Sequence, residues 1–79
     1  MITEELGSWD KSTIVGSSNI RSVAYNDKRR ILEVTFHHGS SYQYSGVPRS
    51  AYEALLVADS AGKYFAEHIK HKYIYGKVG

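Results

Sequence analysis

Two stretches of the sequence combine tyrosines with basic residues in a way that suits nucleic-acid binding. One runs from Lys70 to Lys77 and reads KHKYIYGK; the other is Tyr42-Gln43-Tyr44, with Arg49 close behind. Every nucleobase has a face that can stack on an aromatic ring, and lysine or arginine can neutralise the phosphates. We therefore predict base stacking and phosphate contacts at Tyr73, Tyr75, Lys70, Lys72, Lys77, Tyr42, Tyr44 and Arg49.

The same tyrosines could instead serve as packing residues, with their hydroxyl groups at the rim of a core. For Tyr42 and Tyr44 the sequence favours core packing, because a small sheet needs bulky side chains. For Tyr73 and Tyr75 both interpretations stay open, because lysines flank them on both sides. The C-terminal stretch therefore carries more of the nucleic-acid hypothesis than Tyr42 and Tyr44 do.

The residues that could support catalysis do not form a recognisable set. The sequence has many serines but no GxSxG elbow, no GxGxxG or Walker loop, and its eight acids are scattered. His68 and His71 could present two imidazoles to one metal ion, yet zinc needs three or four ligands and no cysteine or well-spaced acid completes the set. We expect no enzymatic activity, no metal site and no cofactor.

Length and composition point to one small domain held together by packing. The chain has 79 residues, of which 42% are apolar or aromatic, and no cysteine, so no disulfide can staple it. The net charge is +2: three acids and no base fall in residues 1–10, and ten bases and five acids follow. No apolar run approaches the roughly 18 residues of a membrane span, and the start is not basic. We expect a cytoplasmic protein without membrane contact.

Three segments with alternating apolar residues predict β-strands. They run from Asn19 to Tyr25, from Arg30 to His37 and from Ser40 to Ser45. Polar residues 26–28 supply the first turn, and Gly39, which can adopt a positive φ, supplies the second. The segments are close enough in sequence to form an antiparallel meander.

Two helices follow the predicted strands. Pro48 suits a first helical turn, and apolar spacing predicts a helix over Ser50–Ala58. Asp59 or Ser60 can cap a second helix, whose helical periodicity extends from Ala61 to Lys72.

The expected fold is α+β: a three-stranded antiparallel meander followed by two helices, packed as a two-layer sandwich. Because the helices cover only one face of the sheet, the other face is open. We expect residues 1–16 to be a flexible lead-in, residues 17–75 to form the domain and residues 76–79 to fray. Within the lead-in, Ile2, Leu6 and Trp9 fall at helical spacing and allow a short docked turn.

Short motifs in a fixed order suggest a known family. They are Ser17–Tyr25, Leu32–Phe36, Tyr42-Gln43-Tyr44, Gly46-Val47-Pro48, Tyr52–Ala54, Ser60–Phe65 and Tyr73-Ile74-Tyr75. Over residues 17–75 this series resembles the KTSC domain, named for its occurrence at the C-terminus of some lysyl-tRNA synthetases. Ala24 stands where glycine is common in that family, and Ile74 stands where proline is common, which leaves the tail less rigid.

The resemblance implies a fold without an established enzymatic activity, and its link to a synthetase suggests RNA or another nucleic acid as partner. Our leading hypothesis is therefore a weak, non-catalytic RNA-binding module. The alternative is a protein-interaction module that uses an exposed aromatic sheet face. Binding that disappears between low and moderate salt favours the first; binding that survives favours the second.

Overall fold

The structure, a computed structural model, describes residues 9–79. Ile2 and Leu6, which set the helical spacing near the N-terminus, lie outside the described residues. Residues 9–79 contain one antiparallel sheet and two helices. The strands are β1 (Trp9–Thr13), β2 (Ile20–Asn26), β3 (Ile31–Phe36), β4 (Ser41–Ser45) and β5 (Tyr75–Lys77), and the helices between β4 and β5 are α1 (Arg49–Val57) and α2 (Ala61–His68).

The sheet has five strands in the order β1-β2-β3-β4-β5, so the prediction of a three-stranded sheet is wrong. The three predicted strands form its centre as β2, β3 and β4. The two further strands are its edges in the described part of the chain. β1 comes from the segment expected to be a flexible lead-in, and β5 joins the last residue of the expected domain to the first residues of the tail expected to fray. Both are polar or exposed, so neither carries the apolar alternation of a half-buried strand.

Side chains of α1 hold β1 in place. Asp10 faces Tyr25 across the β1–β2 ladder, on the helix side of the sheet. The Tyr52 hydroxyl donates a hydrogen bond to the Asp10 carbonyl at 3.3 Å and lies 3.2 Å from the hydroxyl of Ser12. The Asp10 carboxylate pairs with Arg49 at 2.9 Å. These contacts span about forty residues of sequence, so no local pattern announces them.

The two helices lie where the sequence predicts, although the second is shorter. Ser60 caps α2 by accepting a hydrogen bond from the Lys63 amide at 3.2 Å, as expected of a serine before a helix. The helix ends at His68, because Ile69 leaves the helical region (φ −123°, ψ −45°) and the Lys70 amide donates to the Phe65 carbonyl. Residues 71 and 72, expected on the helix, therefore lie in the turn that follows.

The core lies between the helices and one face of the sheet. Alternate residues of the central strands point into it, and the helices add their apolar sides. The members with 2% exposure or less are Ile20, Val23, Tyr25, Leu32, Val34, Val47, Tyr52, Leu55 and Ile69. Burying one large apolar side chain contributes about 1.5–3 kcal/mol, so this cluster supplies the main drive to fold.

The opposite sheet face is mainly polar on β3 and β4, whereas β2 places the buried Ala24 there. On β3 and β4 it carries Glu33, which accepts a hydrogen bond from the Gln43 amide at 2.9 Å, and a Thr35–Ser41 hydroxyl pair at 2.8 Å. By strand alternation, Trp9 is the aromatic residue on this face within residues 9–79. The tyrosines of β4 point towards the helices instead, because their register partners Leu32 and Val34 belong to the core. The described residues therefore do not form an open tyrosine-rich sheet face.

Candidate nucleic-acid interface

A groove of about 570 Å³ opens where α2 meets the β4–β5 edge of the sheet. Its other boundaries are the end of β3 with the turn after it, and the loop that enters β2. Five of its lining residues carry benzene-type rings: Phe36, Tyr42, Tyr44, Phe65 and Tyr75. It is thus an aromatic groove on the helix side of the sheet. Because its residues come from several separate segments, no one segment of the sequence predicts it.

Rings packed edge to face form the floor of the groove. Phe36 meets Phe65 with ring centroids 5.7 Å apart and an interplanar angle of 69°. Tyr44 meets Phe65 at 5.3 Å and 83°. Edge-to-face pairs place the positive edge of one ring on the negative face of another, which favours this geometry beyond simple burial. The floor is therefore held by contacts between β3, β4 and α2.

Tyr75 stands on this floor and remains 58% exposed. Its ring stacks on Tyr44 with centroids 5.4 Å apart at an angle of 29°, and it lies 6.1 Å from the ring of Tyr42. The β4–β5 register explains the position, because Tyr75 is paired with Tyr44 and Lys77 is paired with Tyr42. One side of Tyr75 is supported by protein, and much of the rest meets solvent.

Tyr44 supports Tyr75 from inside the core. It is only 4% exposed, so the ring is not available as an outer stacking face. Burial, with smaller contributions from Tyr75 and Tyr42, raises the pKa of the Tyr44 phenol to about 12. The phenol is therefore neutral at physiological pH. The burial of Tyr44 shows that it packs in the core, which is the role that the sequence favours for it.

Apart from the tyrosines, the ionisable residues that line the groove are basic. Lys70 and His71 line it after the end of α2, and His37 and His38 line it from the turn after β3. The His38 ring stacks on Phe36 at 5.6 Å and 10°. Among the described residues, none of those lining the groove is acidic. Lys77 lies on the same strand face as Tyr75. Lys70 and Lys77 thus place two positive charges at or beside the groove.

Four of the predicted site residues are not among those that line the groove, and one of them, Lys77, lies beside it on β5. Tyr73 packs, partly buried, against the core. Lys72 is exposed in the turn after α2 and is not among the lining residues. The remaining one, Arg49, pairs with three carboxylates at 2.9–3.7 Å, those of Asp10, Asp27 and Glu53.

Arg49 has a structural environment of its own. Its guanidinium group lies 6.0 Å from the ring of Tyr25 and 5.8 Å from the ring of Tyr52. Hydrogen bonds to Asp10 and Glu53 raise the pKa of Arg49 further above its usual range. These contacts join β1, the turn after β2 and α1. The structure thus surrounds this arginine with protein anions rather than bringing it to the groove.

Sequence reasoning missed the phenylalanines and the histidines of the groove, and among the histidines His38 is the one stacked on a phenylalanine ring. Phe36 ends the clearest strand, and Phe65 belongs to the apolar stripe of α2, so both look like ordinary core residues. His38 lies in a turn, where no pattern marks it. The close spacing of Phe36, His38 and Tyr42 around one hairpin is the signal that could have found them, since a tight hairpin brings such residues together.

Two kinds of site are not found within residues 9–79. No group of three or more His, Asp or Glu residues is arranged to hold a metal ion in this part of the chain. No helix in the same part is long and apolar enough to cross a membrane.

The fold and the groove define the class: a small two-layer α+β domain with an aromatic, basic groove between its second helix and a sheet edge. The chain belongs to the KTSC domain family, whose sequence pattern matches residues 16–73. The crystal structure of a KTSC domain protein from Yersinia pestis has the same fold, with a TM-score of 0.82 and 36% sequence identity. That comparison covers 91% of this chain and all of the Yersinia chain.

Relatives occur both as small proteins and as segments of larger ones. An uncharacterized protein of Stutzerimonas stutzeri is 40% identical over 63 residues, which is 80% of this chain and 89% of that protein. A lysine–tRNA ligase of Nostoc punctiforme is 39% identical over 56 residues, which is 71% of this chain but only 10% of the ligase. The same unit is therefore used at two very different protein sizes.

Proposed function

We propose that this domain is a non-catalytic nucleic-acid-binding module, that RNA is its ligand, and that it binds through the aromatic groove. The observation that carries the proposal is Tyr75, an exposed ring stacked on a buried one, with Lys70 and His71 lining the same groove. Lys77 is on the same face of β5. An aromatic platform beside cations is the combination that binds bases and phosphates together.

The number of cations sets the strength of this binding. Lys70 and Lys77 are the two lysines beside Tyr75, fewer than the six to ten phosphate contacts of a strong binder. Such binding has a Kd on the order of 10⁻⁴ M or somewhat below. It becomes useful when the domain is tethered, because a linker raises the effective concentration of the second site.

The lysine–tRNA ligase relatives support a nucleic-acid ligand. In the Nostoc protein the matching segment is a tenth of a chain whose name states a tRNA substrate. A weak module attached to an enzyme that already holds tRNA would add affinity by tethering. The small relatives carry the same domain over most of their length, so tethering there would need a partner.

A protein-interaction module is the second candidate, and the exposed edge of β5 favours it. Ile74 is 83% exposed and Val78 is 53% exposed, one on each side of this three-residue strand. An edge strand offers unpaired backbone groups to another chain. This version of the alternative uses the strand edge instead of an aromatic sheet face.

An NMR titration of isotope-labelled protein with tRNA at 50 and 200 mM salt tests the proposal. We expect amide shifts at Lys70, His71, Tyr75 and Lys77. With the slope of about −0.7 per phosphate contact that single strands show, two contacts weaken binding by roughly 7-fold between these salt concentrations. An absence of shifts at 50 mM salt would sink the proposal. Shifts with a protein partner that persist at 200 mM salt would favour the strand-edge alternative.

A further inference from the structure

Two rings at the rim of the groove are supported on one side by floor rings. Tyr75 stacks on Tyr44, and His38 stacks on Phe36 at an interplanar angle of 10°. Both Tyr75 and His38 line the same groove. Contacts with a phosphate backbone alone do not require such rings, whereas a base can stack against them.

The groove is also large enough to hold an organic ligand. Its volume of about 570 Å³ falls in the range of pockets that enclose small organic ligands, about 300–1,000 Å³. A base inside a duplex is stacked and paired, so its ring faces cannot enter such a space unless it is flipped out. An unpaired base has free faces. A groove of this shape therefore matches a single-stranded segment better than a helix.

The wall that α2 contributes to the groove carries small side chains. Gly62 and Ala66, one turn apart on α2, both line it, and Ala66 is exposed. A methyl group added at Gly62 would make ordinary contacts, 3.5 Å from the Ser17 hydroxyl and 3.8 Å from the Asn19 amide nitrogen. Lys70, in the turn that follows α2, ends the wall with a positive charge.

Charges around the groove complement a strand that continues past the bound base. Lys70 lies on the helix side, and Lys77 lies on β5 beside Tyr75. We infer that the groove accepts one unpaired nucleobase and that its ligand is therefore single-stranded nucleic acid at the point of contact. This inference rests on the proposed function and specifies its ligand. In this arrangement Tyr75 stacks on the base, and the two lysines meet the flanking phosphates.

Fluorescence anisotropy at 50 mM salt tests the inference with a labelled eight-nucleotide RNA. The same RNA annealed to its complement is the duplex ligand, and a nucleoside monophosphate competes as the free nucleotide. We expect the single strand to bind at least ten-fold more tightly than the duplex. Replacing the ring by Tyr75→Leu should weaken single-strand binding by roughly 5- to 150-fold, the loss of one stacked base. Tyr75→Phe should bind as the parent does.

A second variant keeps β5 intact. Ala66→Gln extends a neutral side chain from the wall of the groove and should also weaken single-strand binding. Ser50→Gln places the same side chain on an exposed position of α1, outside the groove, and serves as the control. The inference holds if Ala66→Gln weakens binding and Ser50→Gln does not.

Three results would overturn the inference. Equal binding of duplex and single strand, insensitive to Tyr75→Leu and Ala66→Gln, refutes the unpaired base but leaves a nucleic-acid module standing. If a nucleoside monophosphate binds as tightly as the eight-nucleotide strand, the ligand of the groove is a free nucleotide and not a nucleic-acid strand. Failure of every RNA to bind at 50 mM salt refutes the proposed function together with the inference.

Discussion

Replacing Lys70 with glutamine tests the groove through its electrostatics, and Lys72→Gln is its matched control. Both lysines are exposed and lie two residues apart, yet only Lys70 lines the groove. Counting Lys70 and Lys77 as the phosphate contacts, single-strand affinity should fall with salt with a logarithmic slope of about −1.4. Between 50 and 200 mM salt that slope amounts to roughly a 7-fold loss of affinity.

The two variants should then differ in slope. Lys70→Gln leaves one contact, a slope of about −0.7 and roughly a 3-fold loss over the same salt range. Lys72→Gln should keep the slope of the parent protein. Anisotropy titrations with single-stranded RNA at 50, 100 and 200 mM salt measure all three slopes. Equal slopes for Lys70→Gln and Lys72→Gln would show that the cations act through the net charge of the domain. That result would refute the claim that phosphates bind at the groove.

Three further predictions concern the fold that holds the groove. Leu55→Ala should lower the free energy of unfolding by about 2–5 kcal/mol, because Leu55 is 1% exposed. Leu56, which is 38% exposed, gives the control, because Leu56→Ala should lower the free energy of unfolding by well under half as much. Urea denaturation measures both variants, and equal losses of stability would contradict the assigned core. Asp10→Asn removes a charged partner of Arg49, so the backbone amides of β1 should exchange hydrogen faster while those of β3 exchange at the same rate. Unchanged exchange in β1 would show that its backbone pairing with β2 alone holds this strand. Because folding raises the pKa of Tyr44 from about 10 to about 12, the Tyr44 phenol stays protonated in the folded state at pH values at which it ionises in the unfolded chain. Stability should therefore fall as the pH rises from about 10 towards 12, and Tyr44→Phe should reduce that fall in alkaline unfolding experiments; an unaltered fall would assign it to other groups.

The position of Arg49 shows how spacing along the chain can mislead. The residue follows Tyr44 by five positions and was a reasonable phosphate contact on that ground. In the fold, α1 starts at Arg49, and the chain brings Asp10 and Asp27 to the same point. An arginine placed among carboxylates from other elements stabilises their arrangement. Its guanidinium group is then engaged before any ligand arrives.

The sequence by itself determined the central part of the fold. A period of two marks β3 and β4, because one face of each meets the core, and Val23 and Tyr25 repeat it in β2, although residues 23–26 are all buried there. A period of 3.6 and a capping serine mark α1 and α2, and Gly39, at φ 106°, takes the turn expected of it. These signals are local, since burial of one face imposes the same alternation wherever the strand or helix lies.

Only the tertiary structure decided the edges and the groove. β1 and β5 pair through backbone groups, which are the same in every residue, and the side chains that also hold β1 lie about forty positions away in the sequence. Local side-chain patterns therefore do not predict these two strands. The pairing of Tyr75 with Tyr44 joins residues 31 positions apart, across both helices. That pairing turns an exposed tyrosine near the C-terminus into the supported ring of an aromatic groove, because stacking depends on where two chain segments meet and not on their order in the sequence.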